Sequence, residues 1–264
     1  MNNNFAEMRG SYPQINAPGA DQLSPIGARL SGSDGRVWYY VEAAGTIAAG
    51  ALAQSAADMY TSTLTAGMIG PTLSGTVAVG QGGAIGDTEI RVNDCVAALT
   101  QNEAQGGFLL IEESTGHGYM YKIMQHDAIT TATGQSADIT IAEPGLVVAL
   151  AATTVARVIK SAYVEVIEYA GTIDEALIVG VASGAFTSTN KYGWVQTWGL
   201  CPVRCDDTSW LDTCDVVPGT SKAGEVAVQT SALHEAAGGH AVGYSPWAYT
   251  AENGFGAVYL TIAP

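Results

Sequence analysis

Side chains able to do chemistry are few in this sequence and poorly grouped. Three of the four cysteines, Cys201, Cys205 and Cys214, fall within a short span, with Cys95 standing apart. A structural zinc site needs a closely spaced cysteine pair matched by a second pair or by two histidines, and no fourth ligand accompanies these three. A disulfide from Cys214 to Cys201 or Cys205 would form only in an oxidising medium, so free, partly buried thiols are expected. Asp206, Asp207, Asp212 and Asp215 surround the same segment. Their spacing matches no calcium loop, and a solvated acidic loop is the simpler expectation. The imidazoles are His117, His126, His234 and His240, none beside a nucleophile elbow. His117 lies in a glycine-rich turn, and the separation of His234 and His240 puts them on no common helix face. Glu112 and Glu113 are neighbours on an expected strand and point to opposite sides, unlike the facing carboxylates of a glycosidase. Gly80-Gln81-Gly82-Gly83-Ala84-Ile85-Gly86 has the glycines of a phosphate loop, but Asp87 and Glu89 follow where Lys-Ser/Thr would be needed. No catalytic residue, metal or cofactor is therefore expected, and the chain does not read as an enzyme.

Aromatic residues, by contrast, are concentrated. Tyr192, Trp194 and Trp198 lie in one run, where strict alternation would put Trp194, Gln196 and Trp198 on one strand face. Trp247, Tyr249, Phe255 and Tyr259 follow later. Such rings serve either as the core of β-layers or as a contact surface for a neighbouring subunit. For the second role the candidates are Tyr192, Trp194, Trp198, Trp247 and Tyr249.

The elements that must hold these residues are short strands. Of 264 residues, 47% are hydrophobic and 13% charged, which leaves material for a core and excludes a disordered polar tail. Thirty-two glycines and nine prolines punctuate runs of Val, Ile, Thr and Tyr, the pattern of many strands joined by turns. The fold class expected is mainly β: an extended arm, then antiparallel barrel or sandwich layers with few short helices. Val37–Val41, Thr72–Gly80, Thr88–Val92, Gly107–Glu112, Gly118–Ile123 and Asp138–Ala142 read as strands, with Phe108–Ile123 the clearest hairpin. The alanine-rich stretch 48–57 could form a short helix, against which Gly50 counts. Ten Lys and Arg against 25 Asp and Glu give a net charge of −15, which repels phosphate backbones, so no nucleic-acid partner is expected. Apolar stretches are too short and interrupted for a spanning helix, and no membrane partner is expected. The first residues lack the basic and apolar regions of a signal peptide, which suggests synthesis and folding in the cytoplasm.

Three regions follow. Residues 1–36 hold Pro13, Pro18, Pro25 and five glycines with no apolar period, and read as an extended arm that orders only against a partner. Residues 37–162 read as a barrel or sandwich domain, and 163–264 as a second β-rich region. Within the last, Val179–Val195 aligns without gaps on Val242–Val258. Identities fall at Val179/Val242, Gly180/Gly243, Ala185/Ala248, Thr187/Thr250, Asn190/Asn253, Gly193/Gly256 and Val195/Val258. A strand-turn-strand unit used twice in one β-layer is expected, each with an aromatic packed beside a glycine.

Three blocks, Gly35-Arg36-Val37-Trp38-Tyr39-Tyr40-Val41, Gly116-His117-Gly118-Tyr119-Met120-Tyr121-Lys122-Ile123 and Tyr192-Gly193-Trp194-Val195-Gln196-Thr197-Trp198-Gly199, carry a resemblance. In that order they resemble virion structural proteins of tailed bacteriophages, of the capsid decoration or cement type. Many proteins of that type have Pro after the last Gly, where Leu200 stands here. The resemblance implies a location on the outer capsid surface and binding to the major capsid protein lattice. It also implies a homo-oligomer of cyclic symmetry, such as a trimer, and no catalytic residues. On this reading Phe5, Tyr12, Ile15, Leu23 and Ile26 of the arm would contact the capsid. The alternative is a head-fibre or tail-associated adhesin whose exposed rings stack on host glycans.

Overall fold

Short β-branched and aromatic runs, interrupted every few residues by glycine, leave helices no room to nucleate and suit pleated pairing instead. The computed structural model describes residues 15–55, 68–69, 83–93, 98–113, 115–128, 136–151, 154–171, 177–205, 209–210, 214–229, 241–246, 249–250 and 254–263. In chain order the strands are β1 (Arg29–Ser31), β2 (Val37–Glu42), β3 (Leu52–Gln54), β4 (Met68–Ile69), β5 (Glu89–Asn93) and β6 (Phe108–Glu113). Then follow β7 (Met120–His126), β8 (Ser136–Ile141), β9 (Val155–Ile159), β10 (Ile167–Glu168), β11 (Ile178–Ala182) and β12 (Tyr192–Arg204). The last are β13 (Ser209–Trp210), β14 (Asp215–Pro218), β15 (Val226–Val228), β16 (Gly243–Tyr244), β17 (Tyr249–Thr250) and β18 (Phe255–Thr261). The protein is mainly β, with antiparallel sheets. No helix occurs among the described residues, and the alanine-rich stretch weighed as one contains β3 instead. The expected strand at 72–80 lies outside the described residues.

The chain divides into two compact units, one from residues 1–56 together with 162–264, the other from 57–161. Residues 37–56, read from sequence as the start of the first domain, thus belong with the C-terminal part. The cause is long-range pairing that no local pattern reveals: β2 runs along β12 and β3 along β11.

In the first unit the strand order is β10-β3-β11-β12-β18-β16-β14-β15, and off this path β2 pairs with β12 and β1 with β2. The sheet curls on itself. Leu52 N–H donates to the Gly224 carbonyl and Gly224 N–H to that of Tyr169, both at 2.8 Å, so the chain entering β15 returns to β3 and β10. The inside holds Leu52, Val181, Cys201, Val203, Cys205, Val216, Val258 and Leu260.

The repeat is real in three dimensions. Val181 stands opposite Gln196 in one copy and Tyr244 opposite Tyr259 in the other, which are equivalent positions in the alignment. Outer strands follow suit: Leu52 flanks Val181 as Asp215 flanks Tyr244. The copies meet where β12 and β18 pair, and Trp198 lies opposite its own equivalent, Thr261. A local two-fold axis therefore crosses the sheet there. In the first copy the Phe186 ring lies on Gly193, where a Cβ would come within 2.9 Å of it.

Residues 15–36 do not stand off as an arm. Ile15, Ala28 and Leu30 are buried with Trp38, Tyr40 and Trp194 in one cluster. β1 pairs with β2, and Gly19 exchanges hydrogen bonds with Tyr192. The segment orders against its own chain because it supplies a lid for rings that would otherwise face water.

The second unit carries a sheet of order β4-β9-β6-β7-β8-β5. The expected hairpin is present: Phe108 pairs with Lys122 and Leu110 with Met120, and its turn places Gly116 and Gly118 at φ 85. Leu109, Ile111, Ile123, Ile139 and Val158 form its core.

Candidate functional site

The aromatic block of β12 does not lie on one face. Pairing of β12 with β2 slips between Gln196 and Trp198, so Gln196 stands opposite Trp38 and Trp198 opposite Val37. Neighbouring residues of β2 point to opposite sides, hence the extra residue, Thr197, turns Trp198 away from the side that Trp194 and Gln196 share. The slip is held from within. Buried Gln196 donates its amide to the carbonyls of Trp198 (3.0 Å), Gly199 (3.4 Å) and Leu200 (3.0 Å), while Gly199 takes φ 84. Alternation read from sequence had no means of counting this residue.

Past the bulge, β12 shows Trp198, Leu200, Pro202 and Arg204 outward and Cys201, Val203 and Cys205 inward. β18 adds Phe255, Ala257, Tyr259 and Thr261 to the outer face. Leu200, Tyr259, Tyr244 and Asp215 stand directly opposite one another on four successive strands. Tyr244 stacks on Tyr259 at 5.2 Å and 21°, and Trp198 meets Tyr259 edge-on at 6.1 Å. Three of these side chains remain open to solvent, Leu200 at 45%, Tyr244 at 41% and Phe255 at 52%. A contiguous apolar patch of this kind marks a contact surface far more than scattered single residues do. Its charges are Arg204 at one end and Asp215 on the flank. Arg204 also stands 3.7 Å from Glu168 and 3.9 Å from Glu225.

Of the five aromatics proposed as a subunit contact, Trp198 belongs to this face. Trp194 is 6% exposed and packs edge-on against Tyr40 at 5.0 Å, so it is core and unavailable to a neighbour. Tyr192 packs half-buried beside the same cluster, with Lys191 Nζ 5.0 Å over its ring. Trp247 lies outside the described residues, and of Tyr249 only the backbone is described, paired with Trp210. Leu200 and Tyr244 were not weighed as contacts, while Phe255 and Tyr259 were among the rings weighed as core or contact but not among the five named candidates. For Phe255 and Tyr259, alternation along β18 was the available signal. Among the arm residues Ile15 is core, Ile26 packs against it, and Leu23 is 83% exposed. Phe5 and Tyr12 lie outside the described residues.

The residues weighed for chemistry are occupied elsewhere. His126 is buried, its Nε2 accepting from Ala104 N–H at 2.9 Å and its Nδ1 2.6 Å from the Asp127 carbonyl. Neither nitrogen is left to move a proton for a substrate. His117 is exposed in the β6–β7 turn, and Glu112 pairs with Arg157 at 2.9 Å. In the glycine-rich loop, the N–H groups of Gly83 and Ala84 donate to Asp87 at 2.8 Å. That carboxylate takes the donors a phosphate would need, and the two bonds hold its pKa below the ordinary value. Cys201 and Cys205 are buried thiols outside any disulfide and Cys214 is half-buried; burial pushes the Cys201 thiol strongly up, away from reactive thiolate. Among the described residues no group of three or more His, Cys, Asp or Glu could hold a metal ion. His234, His240, Cys95, Asp206, Asp207 and Asp212 lie outside the described residues. Comparison with protein-family models, with curated proteins and with solved structures finds no match to this chain.

Proposed function

We propose that this protein is a virion structural component of the capsid decoration or cement type, one that binds the major capsid protein lattice of a tailed bacteriophage and stabilises the head without bond-making chemistry of its own. The observation that carries the reading is the uncovered face built by Trp198, Leu200, Tyr244, Phe255 and Tyr259 on a rigid sheet. Apolar area of this size on a strand-built body is stabilised by covering it with protein. Many weak contacts, repeated over a symmetric lattice, then sum to tight binding. A net charge of −15 keeps such particles apart in solution. The three sequence blocks that resemble virion proteins point the same way.

The arm mechanism needs revision. Residues 15–31 cover the protein's own core, so capsid contact through this part of the chain falls to the exposed Leu23. The test is sedimentation of purified protein with capsids that lack it. Stoichiometric pelleting, reduced by Leu23→Asp or by Leu200→Asp, is the expected result. Absence of pelleting, with binding to host glycans instead, would replace the reading by the adhesin one.

A further inference from the structure

We infer that His126 is a pH-sensitive latch: as a neutral ring it holds the turn of residues 100–107 against the end of β7, and on taking a second ring proton it lets that turn go. The inference concerns the second unit alone and does not depend on the capsid reading.

The end of β7 and the turn are joined through both the backbone and the ring of this residue. Asn102 N–H donates to the His126 carbonyl at 3.2 Å, and His126 N–H donates to Asn102 Oδ1 at 2.9 Å. The ring itself is confined to one tautomer. A carbonyl only accepts, so Nδ1, 2.6 Å from the Asp127 carbonyl, carries the proton, and Nε2 is left as the acceptor for Ala104 N–H at 2.9 Å. Only an uncharged imidazole fits this arrangement. In the charged ring both nitrogens donate, and a proton on Nε2 would point at the Ala104 N–H with no lone pair between them. His126 is 3% exposed and Ala104 is fully buried, so the two opposed donors are shielded from the water that would otherwise satisfy them. Histidine side chains ordinarily change charge between about pH 8 and about pH 5, and mild acid is therefore the signal that such a latch reads.

The charged groups around the ring set where it goes once protonated. Asp127 follows it in the chain, and β8 brings Asp138, gripped by Arg91 of β5 at 2.7 and 2.6 Å. Glu89 comes from the start of β5, and the turn contributes Glu103, which is bound to Lys160 at 2.6 Å and to Thr100 N–H at 2.7 Å. His126, Glu89, Asp127 and Asp138 line one cavity of about 230 Å³. Carboxylates beside open space give an imidazolium a direction in which to turn and offer a neutral ring much less. What the ring leaves behind is held only in part. Gly106 N–H still donates to the Ile123 carbonyl, and Ile123 N–H to that of Gly107, both at 2.9 Å. The Lys160–Glu103 pair stays as well, so the release is a local loosening around Ala104 and not the loss of the unit. Leu99 and Ala104, both part of the core of this sheet, are the apolar groups that it uncovers.

The test uses the full chain. NMR follows the His126 ring and the Ala104 amide from about pH 8 to about pH 5, with amide exchange expressed as protection relative to an unstructured peptide at the same pH. Ala104 is expected to lose protection about tenfold or more, as for one buried hydrogen bond lost, along the same curve as the His126 ring. The Ile111 amide, bonded to the Tyr119 carbonyl in the neighbouring hairpin, should hold its protection throughout. His126→Gln puts an amide oxygen where Nε2 accepts and takes no proton in this range, so its Ala104 should stay protected at both ends. His117→Gln, at an exposed site in the β6–β7 turn, should behave as wild type. Equal protection of Ala104 at the two ends overturns the inference, as does a loss that departs from the His126 curve or a ring that stays neutral throughout. A loss that persists undiminished in folded His126→Gln overturns it too. Should that variant not fold, the two wild-type curves decide alone.

Discussion

Gln196 shows how one side chain sets the location of a surface. Its single amide nitrogen serves three consecutive carbonyls across the bulge, and this lets β12 turn Trp198 outward while Cys201 stays inside. Replacing it by Leu, similar in volume, removes the donor and leaves those carbonyls short of partners. Urea denaturation is expected to show a loss of about 1–3 kcal/mol, with a shift in Trp fluorescence as Trp198 loses its position. In the second unit, Arg91 grips Asp138 through two bonds of 2.7 and 2.6 Å. That side-chain bond holds the Asp138 carboxyl below the ordinary range. Because the native value lies below the unfolded one, of about 4, the contribution is complete above that pH and fades as pH falls through the native value. Arg91→Gln should return Asp138 to ordinary titration, read from its carboxyl carbon by NMR. An unchanged titration curve would show that Arg91 does not control it.

At the scale of elements, the two copies of the repeat share their tightest point. A Cβ on Gly180 would lie 2.8 Å from the Gln196 carbonyl, and one on Gly243 would fall well inside contact distance of the equivalent Tyr259 carbonyl. Backbone meets backbone at both, so neither neighbour can rotate away. Gly243→Val is expected to push β16 off β18 and unfold the first unit before the second, seen as loss of hydrogen-exchange protection confined to it. The N-terminal segment makes a separate prediction. Leu30→Ala, at a site 3% exposed, should cost about 2–5 kcal/mol, and deletion of residues 1–30 should destabilise the protein with no capsid present. Deleting residues 1–14 leaves the segment 15–31 in place and is the cleaner probe of capsid binding. Thermal melts of the three variants decide the matter.

For the molecule as a whole, the class of fold was legible because period and punctuation agree: β2, β5, β6, β7 and β8 lie where alternating runs bounded by glycine put them. The hairpin and the repeat were legible for the same reason, since turn residues at fixed offsets survive as register. What stayed hidden depends on pairing at a distance. Residues 15–36 look unable to hold themselves, and so they are; the lid they form is visible only once Trp38 and Trp194 are brought together by β2 and β12. The outer face was half legible, for Trp198, Phe255 and Tyr259 stood out as rings while Leu200 and Tyr244 drew no notice until β12, β18 and β16 were seen side by side.

The placement of Cys201 and Cys205 inside the curled sheet turns them into a clock. A water-borne alkylating reagent can find them only during the moments when the strands part, whereas half-buried Cys214 is met sooner. Site-by-site mass spectrometry of the modified sulfurs would therefore time the breathing of the curled sheet, and a partner seated on its outer wall should slow the two inner reactions and spare their rank order.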